Sequence, residues 1–139
     1  MTDCKYCNHN YQTSDRTMLE NELFFANYDN HPVNPGHIKL IPKRHADSLC
    51  ELTDQELVAM KDLMIEAKEL IDKKYHPDGY NIGVNEGKAA GQTVFHLHIH
   101  VMPRYDGDVP NPIGGVRNVI PEKGNYKIAD IIPTNLFVK

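Results

Sequence analysis

The chain has 139 residues, 40% apolar and 24% charged, which suits one globular domain with a real core. Its formal net charge of -4 repels a polyanion in bulk, which disfavours a nucleic-acid binder but leaves room for a small anionic ligand held by local donors. No apolar run reaches the roughly 18 residues of a membrane span, and "MTDCKYCNHN" lacks the apolar stretch of a signal peptide, so a cytoplasmic protein is expected.

In chain order, Cys4 and Cys7 come first, at the C-x-x-C spacing of half a zinc site. A thioredoxin-type pair would follow a strand and open a helix, and "CKYCNHNYQT" does neither. Three cysteines in a reducing compartment argue against disulfides. Cys50 is expected to be a small buried apolar residue. A closed tetrahedral site needs two further ligands, and the candidates are His9, His31, His37, His45, His76, His96, His98 and His100. Spacing leaves that choice open.

A weakly signalled strand precedes Asn21. "NELFFANYD" (21–29) reads as a strand rich in aromatics, closed by a turn from Asp29 to Pro35. "GHIKLIP" (36–42) reads as another, stopped by Pro42. The following stretch, "TDQELVAMKDLMIEAKELIDKKY", predicts a helix. Thr53 with Glu56 forms a capping-box pattern, Leu57, Met60, Met64, Ala67 and Ile71 recur at helical spacing, and Pro77 and Gly79 end it. "GYNIGVN" (79–85) and "VFHLHIHVM" (94–102) are further strands. From Arg104 onward Pro and Gly crowd the chain, which predicts an ordered, loop-rich arm over about residues 104–139 rather than a second domain. Strands separated by turns and one helix predict an α+β fold with an antiparallel sheet.

In "HLHIHV", His96, His98 and His100 alternate with Leu97, Ile99 and Val101. On a strand the histidines share one face and the apolar residues enter the core. Same-face neighbours lie about 6.6 Å apart and the outer two ~13 Å. One zinc ion with ~2 Å Zn–N bonds cannot collect all three unless the strand is bent. Different roles are therefore expected for the three. Neutral histidine is a nucleophile, and its cation neutralises phosphate near neutral pH. A Gly-rich turn, "NEGKAAGQTV", leads into them. Gly87 and Gly91 would let backbone N–H groups approach a ligand, and Gln92 and Thr93 would donate at the strand's start. The turn is not a P-loop: Gly83 and Gly87 are one residue too close, and Ala89 follows Lys88 where Ser or Thr belongs.

Together, "HLHIHVM", the preceding "GQTV" and "NPGHIKLIPKRH" (34–45) resemble the histidine triad superfamily. "GDVPNPIGGVRNVIPEK" (107–123) looks like the tail of bacterial and archaeal members described as diadenosine polyphosphate hydrolase-like, and the resemblance covers about residues 4–126. It implies one α+β domain over residues 1–139, with about five strands, one long helix and a short one. It also implies a homodimer with a continuous sheet, and a purine nucleotide or dinucleoside polyphosphate bound with its α-phosphate beside the triad. By position, His98 is the nucleophile that forms a nucleotidyl-histidine, which water hydrolyses. His37 and His100 bind and neutralise the phosphate. Gln92 and Thr93 contact phosphate or leaving group, Asp29 holds ribose hydroxyls, and Asn85 lies near the phosphate. Zinc-carrying relatives imply a structural Zn2+ on Cys4, Cys7, His45 and His96, with about residues 1–10 as the zinc-binding N-terminus. The triad does not set the leaving group. Arg104, Arg117 and Lys123 are candidates for extra phosphates, Arg117 first because "GGVR" sets a cation beside a flexible backbone. The alternatives are an adenosine phosphoramidate hydrolase, a non-catalytic nucleotide-binding protein, and a metal-dependent hydrolase that the strand geometry disfavours.

Overall fold

The computed structural model describes residues 3–127. The chain divides into two compact units, Met1–Tyr105 and Asp106–Lys139. The first holds one five-stranded sheet: β1 (Thr17–Glu20), β2 (Phe24–Tyr28), β3 (Ile38–Pro42), β4 (Gly79–Val84) and β5 (Ile99–Arg104). The strand order is β1-β2-β3-β5-β4, and every pairing is antiparallel. A short helix, α1 (His9–Gln12), precedes the sheet, and a long one, α2 (Asp54–Tyr75), links β3 to β4. The α+β class, the strand before Asn21 and the pair of unequal helices match the sequence expectation. Among the described residues no helix is long and apolar enough to cross a membrane.

β2 and β3 read as apolar runs because both faces of the sheet are covered there. Phe24, Ala26, Ile38 and Leu40 pack with Leu63, Ala67 and Ile71 of α2 and with Leu97, Ile99 and Val101. Phe25 and Ile41 point the other way and pack with Tyr6. Each such side chain contributes about 1.5–3 kcal/mol by leaving water. The N-terminal segment therefore roofs the sheet face opposite α2, which is where the polar residues gather.

The first turn of α2 departs from the predicted stripe: Leu57 is 38% exposed, and Glu56 and Leu63 are buried instead. Glu56 is drawn inward by its partners. Its carboxylate accepts from Arg44 Nε (2.7 Å), Arg44 Nη2 (2.9 Å) and the Thr53 backbone N–H (2.8 Å), while Thr53 Oγ1 accepts from the Glu56 N–H (3.1 Å). The capping box is thus complete. The Arg44 hydrogen bonds pull the Glu56 carboxyl down to about 2, against burial. A depressed carboxyl stabilises the fold above its unfolded value and loses that contribution as pH falls through its folded one. Glu56→Gln is therefore expected to lower Tm by about 4–10 °C at neutral pH. In a calorimetric series the gap from the wild type closes as pH approaches 2.

Two further expectations need correction. Cys50 is exposed, not buried. It sits on the turn Leu49–Glu51, where Leu49 and Leu52 supply the inward side chains. The triad strand begins at Ile99, so residues 94–98 lie outside it. There the Leu97 N–H donates to Ala46 O (2.6 Å) and the His98 ring donates to His96 O (2.9 Å). One long-range bond and one local bond thus take backbone groups that a strand ladder would use.

Among its described residues, the second unit is built on the 3-10 turns Gly115–Val119 and Pro121–Lys123. Arg117 donates from Nε to Gly124 O (3.2 Å) and from Nη2 to Lys123 O (3.0 Å), so this guanidinium closes its own loop. Residues 128–139 of the expected arm lie outside the described residues.

Candidate active site and metal centre

The bend before β5 sends its first histidine away from the other two. His96, fully buried, meets Cys4, Cys7 and His45, whose ligand atoms all lie within 4.8 Å of one another. Cys4 Sγ is 3.3 Å from His96 Nδ1, Cys7 Sγ is 3.5 Å from it, and Cys7 Sγ is 3.3 Å from His45 Nδ1. A tetrahedral ion with bonds of about 2.3 Å to sulfur and about 2.0 Å to nitrogen has S···N edges near 3.5 Å. The far ring nitrogens are already anchored. His96 Nε2 donates to Pro42 O (2.8 Å) and His45 Nε2 lies 3.1 Å from Asp47 Oδ1, so both Nδ1 lone pairs face the cluster. Burial and the adjacent Cys4 push the Cys7 thiol up to about 11, so it keeps its proton unless a cation sits beside it, and a bound metal ion would displace that proton. The four residues fit a closed metal centre.

The other two triad histidines border a cavity of about 270 Å³. Lys5, Tyr6, Asp29, Asn30, Lys39, Asn85, Thr93 and Val94 also line it. The Tyr6 ring lies edge-on to His96 at 5.6 Å and to His98 at 5.4 Å, and so stands between the metal cluster and the cavity. His98 Nδ1–H donates to His96 O, which leaves Nε2 with the lone pair. His37 Nδ1 accepts the Val33 N–H (3.1 Å), so neutral His37 carries its hydrogen on Nε2, 2.9 Å from His100 Nδ1. Neutral His100 then carries its own hydrogen on Nε2. Backbone groups thus set the tautomers of His98 and His37, and the His37 ring sets that of His100.

Asp29 sits beside this pair. Its Oδ1 accepts the His31 N–H (2.8 Å), and its Oδ2 lies 3.6 Å from Lys39 Nζ and 3.7 Å from both His37 Nε2 and His100 Nδ1. Burial pushes the Asp29 carboxyl up, but the His31 N–H and the Lys39 charge prevail and hold it below its usual value. Burial lowers the imidazoles of His37 and His98, and it takes His100 down to about 4 with the help of neighbouring His98 and His37.

Not every predicted residue reaches the cavity wall. Asp29, Asn85, Thr93, His98 and His100 line it, whereas His37 stands behind His100, 3% exposed. Gln92 is buried and closes the Gly-rich turn: its Oε1 accepts the Gly87 N–H (2.8 Å) and its Nε2 donates to Val94 O (3.2 Å). Gly87 and Gly91 have φ of +85° and +88°, as the tight turn requires. Their N–H groups bond within the turn, to Gln92 Oε1 and Lys88 O, rather than pointing at a ligand. Arg104 Nη1 donates to Asn81 Oδ1 (2.6 Å). Lys5, Tyr6, Asn30, Lys39 and Val94 line the cavity although no sequence motif singles them out. Tyr6 is hidden between the cysteines, and Lys39 is a lone cation in an apolar run, a pattern that could have marked it.

A family model for the HIT domain matches residues 10–107. The chain is 38% identical to an AP-4-A phosphorylase of Mycobacterium tuberculosis, over 73% of this chain and 53% of that protein. It is also 38% identical to a bis(5'-adenosyl)-triphosphatase of Dictyostelium discoideum, over 65% of this chain and 60% of that one. The chain thus spans little more than half the length of these curated relatives. A Zn-bound histidine triad family protein of Mycobacterium smegmatis superimposes with a TM-score of 0.68 at 33% identity, over 79% of this chain and 81% of that one. With a matching family model, a shared fold and the paired His98 and His100 beside one cavity, the chain belongs to the HIT domain family.

Proposed function

We propose that this protein is a nucleotide hydrolase or nucleotidyl transferase that cleaves dinucleoside polyphosphates at the α-phosphate, with His98 as nucleophile. The observation that carries the reading is the His98 Nδ1–H bond to the His96 carbonyl, which leaves Nε2 as the attacking atom of a cavity-lining ring. Nε2 forms a bond to the α-phosphorus as the bond to the bridging oxygen breaks, and the leaving polyphosphate departs with that electron pair. Water then attacks phosphorus, releases the nucleoside monophosphate and restores His98. His100, its Nδ1 engaged by His37, directs an N–H donor to the phosphoryl oxygens, and Thr93 and Asn85 add others. Asp29 Oδ2 accepts from ribose hydroxyls. His37 and Gln92 act from behind, one through His100 and one through the turn.

The metal centre takes Zn2+, which would cross-link the N-terminus to the loop after β3 and to the triad bend. The relative solved with zinc supports this reading. The edge strand β4 is the surface on which a second copy would extend the sheet into a homodimer, and free thiols suit a reducing, cytoplasmic setting.

The test is product analysis after incubating the zinc-loaded protein with diadenosine tetraphosphate. AMP plus ATP is expected. Two ADP without ATP would place the cut at the centre and reject the α-phosphorus assignment. Similarity to an AP-4-A phosphorylase favours a second acceptor, inorganic phosphate, which would turn the AMP product into ADP while ATP still forms. Adenosine phosphoramidate in the same assay separates the P–N-cleaving alternative.

Acid tolerance is a further expected property. The folded protein holds His37 and His100 neutral below the ordinary histidine value, His100 down to about 4. The acid limb of kcat/KM, which reports the free enzyme, is therefore expected between about 4 and 6.5, not above. An acid limb above pH 7 would contradict this, and activity that instead falls as pH rises through that range would show that these rings must be charged to work.

A further inference from the structure

We propose that Lys39 is an anion-binding residue of the cleft, whose ammonium donates to a phosphate oxygen of the ligand; the inference rests on reading the cleft as a nucleotide site. On β3, Ile38 and Leu40 enter the core against α2, and alternation turns Lys39 to the opposite face. There it is the register partner of His100 on β5 and of Asn27 on β2. Lys39 is only 5% exposed, yet it lines the same cavity as His98 and His100. Between Asn27 and His100 on this face it supplies a positive charge, which burial disfavours and neighbouring Asp29 favours.

A buried ammonium needs acceptors for three N–H groups. Tyr6 Oη accepts one at 3.3 Å, a long bond. Asp29 Oδ2, at 3.6 Å, balances the charge but lies beyond the roughly 3.2 Å range of a good hydrogen bond. The Tyr6 ring, its centroid 5.5 Å from Nζ, steadies the cation without accepting a directed bond. Lys39 is thus held in place, charged and short of close acceptors at the wall of a cavity that admits an anion. A phosphate brought to His98 supplies those acceptors. Lys5 also lines the cavity, but it is exposed, and a hydrated ammonium contributes less.

A role for Lys39 only as the counter-ion of Asp29 is the competing account, and the two roles separate experimentally. Loss of a counter-ion would disturb ribose binding through Asp29 and so weaken adenosine and AMP alike. Loss of an anion-binding residue weakens AMP alone. Calorimetric titration of adenosine and AMP into zinc-loaded wild type, Lys39→Gln and Lys39→Arg makes the comparison. Lys39→Gln is expected to weaken AMP about 10- to 100-fold and adenosine by less than about threefold, with Lys39→Arg retaining most AMP affinity. Equal losses for both ligands, or none, would overturn the assignment. If Lys39→Gln does not fold, the wild-type ammonium nitrogen NMR signal, identified by its absence in Lys39→Arg, decides: it should shift with AMP and not with adenosine, and the same shift with both would reject the proposal. A wild type that binds AMP no better than adenosine overturns the nucleotide reading along with this inference. AMP preference that survives Lys39→Gln overturns this inference alone.

Discussion

Replacing His98 with alanine is expected to lower kcat on diadenosine tetraphosphate by about 1,000-fold or more while AMP affinity changes by less than about threefold. The split follows from what the ring touches. His98 is buried in the cavity wall, its Nδ1–H held by the His96 carbonyl, and its remaining nitrogen is the proposed nucleophile. The residues that would hold a nucleotide in the ground state, Asp29, Asn85, Thr93 and His100, stand beside it and stay in place. The acceptor for Nδ1–H is a main-chain oxygen, so no neighbouring side-chain substitution reproduces this loss by changing the tautomer. Initial rates and AMP titration on the two proteins make the measurement. A kcat within tenfold of wild type would remove His98 from the chemistry.

Stripping the metal centre is the second large effect. The cluster joins Cys4 to His96 across 92 positions and Cys7 to His45 across 38, so a bound ion would close two long loops at once. Cross-links of that span stabilise by about 3–5 kcal/mol in the chain-entropy view. The apo protein, or Cys4→Ser with Cys7→Ser, should therefore melt about 10–15 °C lower. Below that melting point the apo protein should also lose turnover, because His96 supplies both a metal ligand and the carbonyl that holds the His98 ring. Added Zn2+ should restore both in the apo wild type and neither in the double variant. Calorimetry with metal analysis decides. An unchanged melt after complete metal loss would rule out a structural ion.

Local rules were legible where one short segment contains its own partners. The capping box of α2 is four residues long and formed as expected, and β2 and β3 carry enough apolar side chains to be read without context. The alternation of "HLHIHV" marked a site, but not where the strand starts. Ala46, distant in sequence, takes the Leu97 N–H, and that contact is invisible in a window of ten residues. Leu57 was misplaced for a related reason: Arg44, outside the helix, draws Glu56 inward and turns its neighbour to solvent. Lys39 was passed over because a charge in a strand is normally an outward one. Only the N-terminal segment folding Tyr6 over that face makes it a buried cation. The four residues of the metal centre come from three separate stretches, and the C-x-x-C spacing alone pointed to two of them.

The central claim is that His98 attacks phosphorus before water does, and the stereochemical course at the α-phosphorus tests it most directly. A substrate made chiral there with sulfur, hydrolysed in oxygen-labelled water by the zinc-loaded protein, yields a nucleoside monophosphate of readable configuration. Two successive in-line displacements through a nucleotidyl-His98 predict net retention. Net inversion would mean that water attacks the substrate directly, and would contradict the covalent mechanism even if His98→Ala proved inactive.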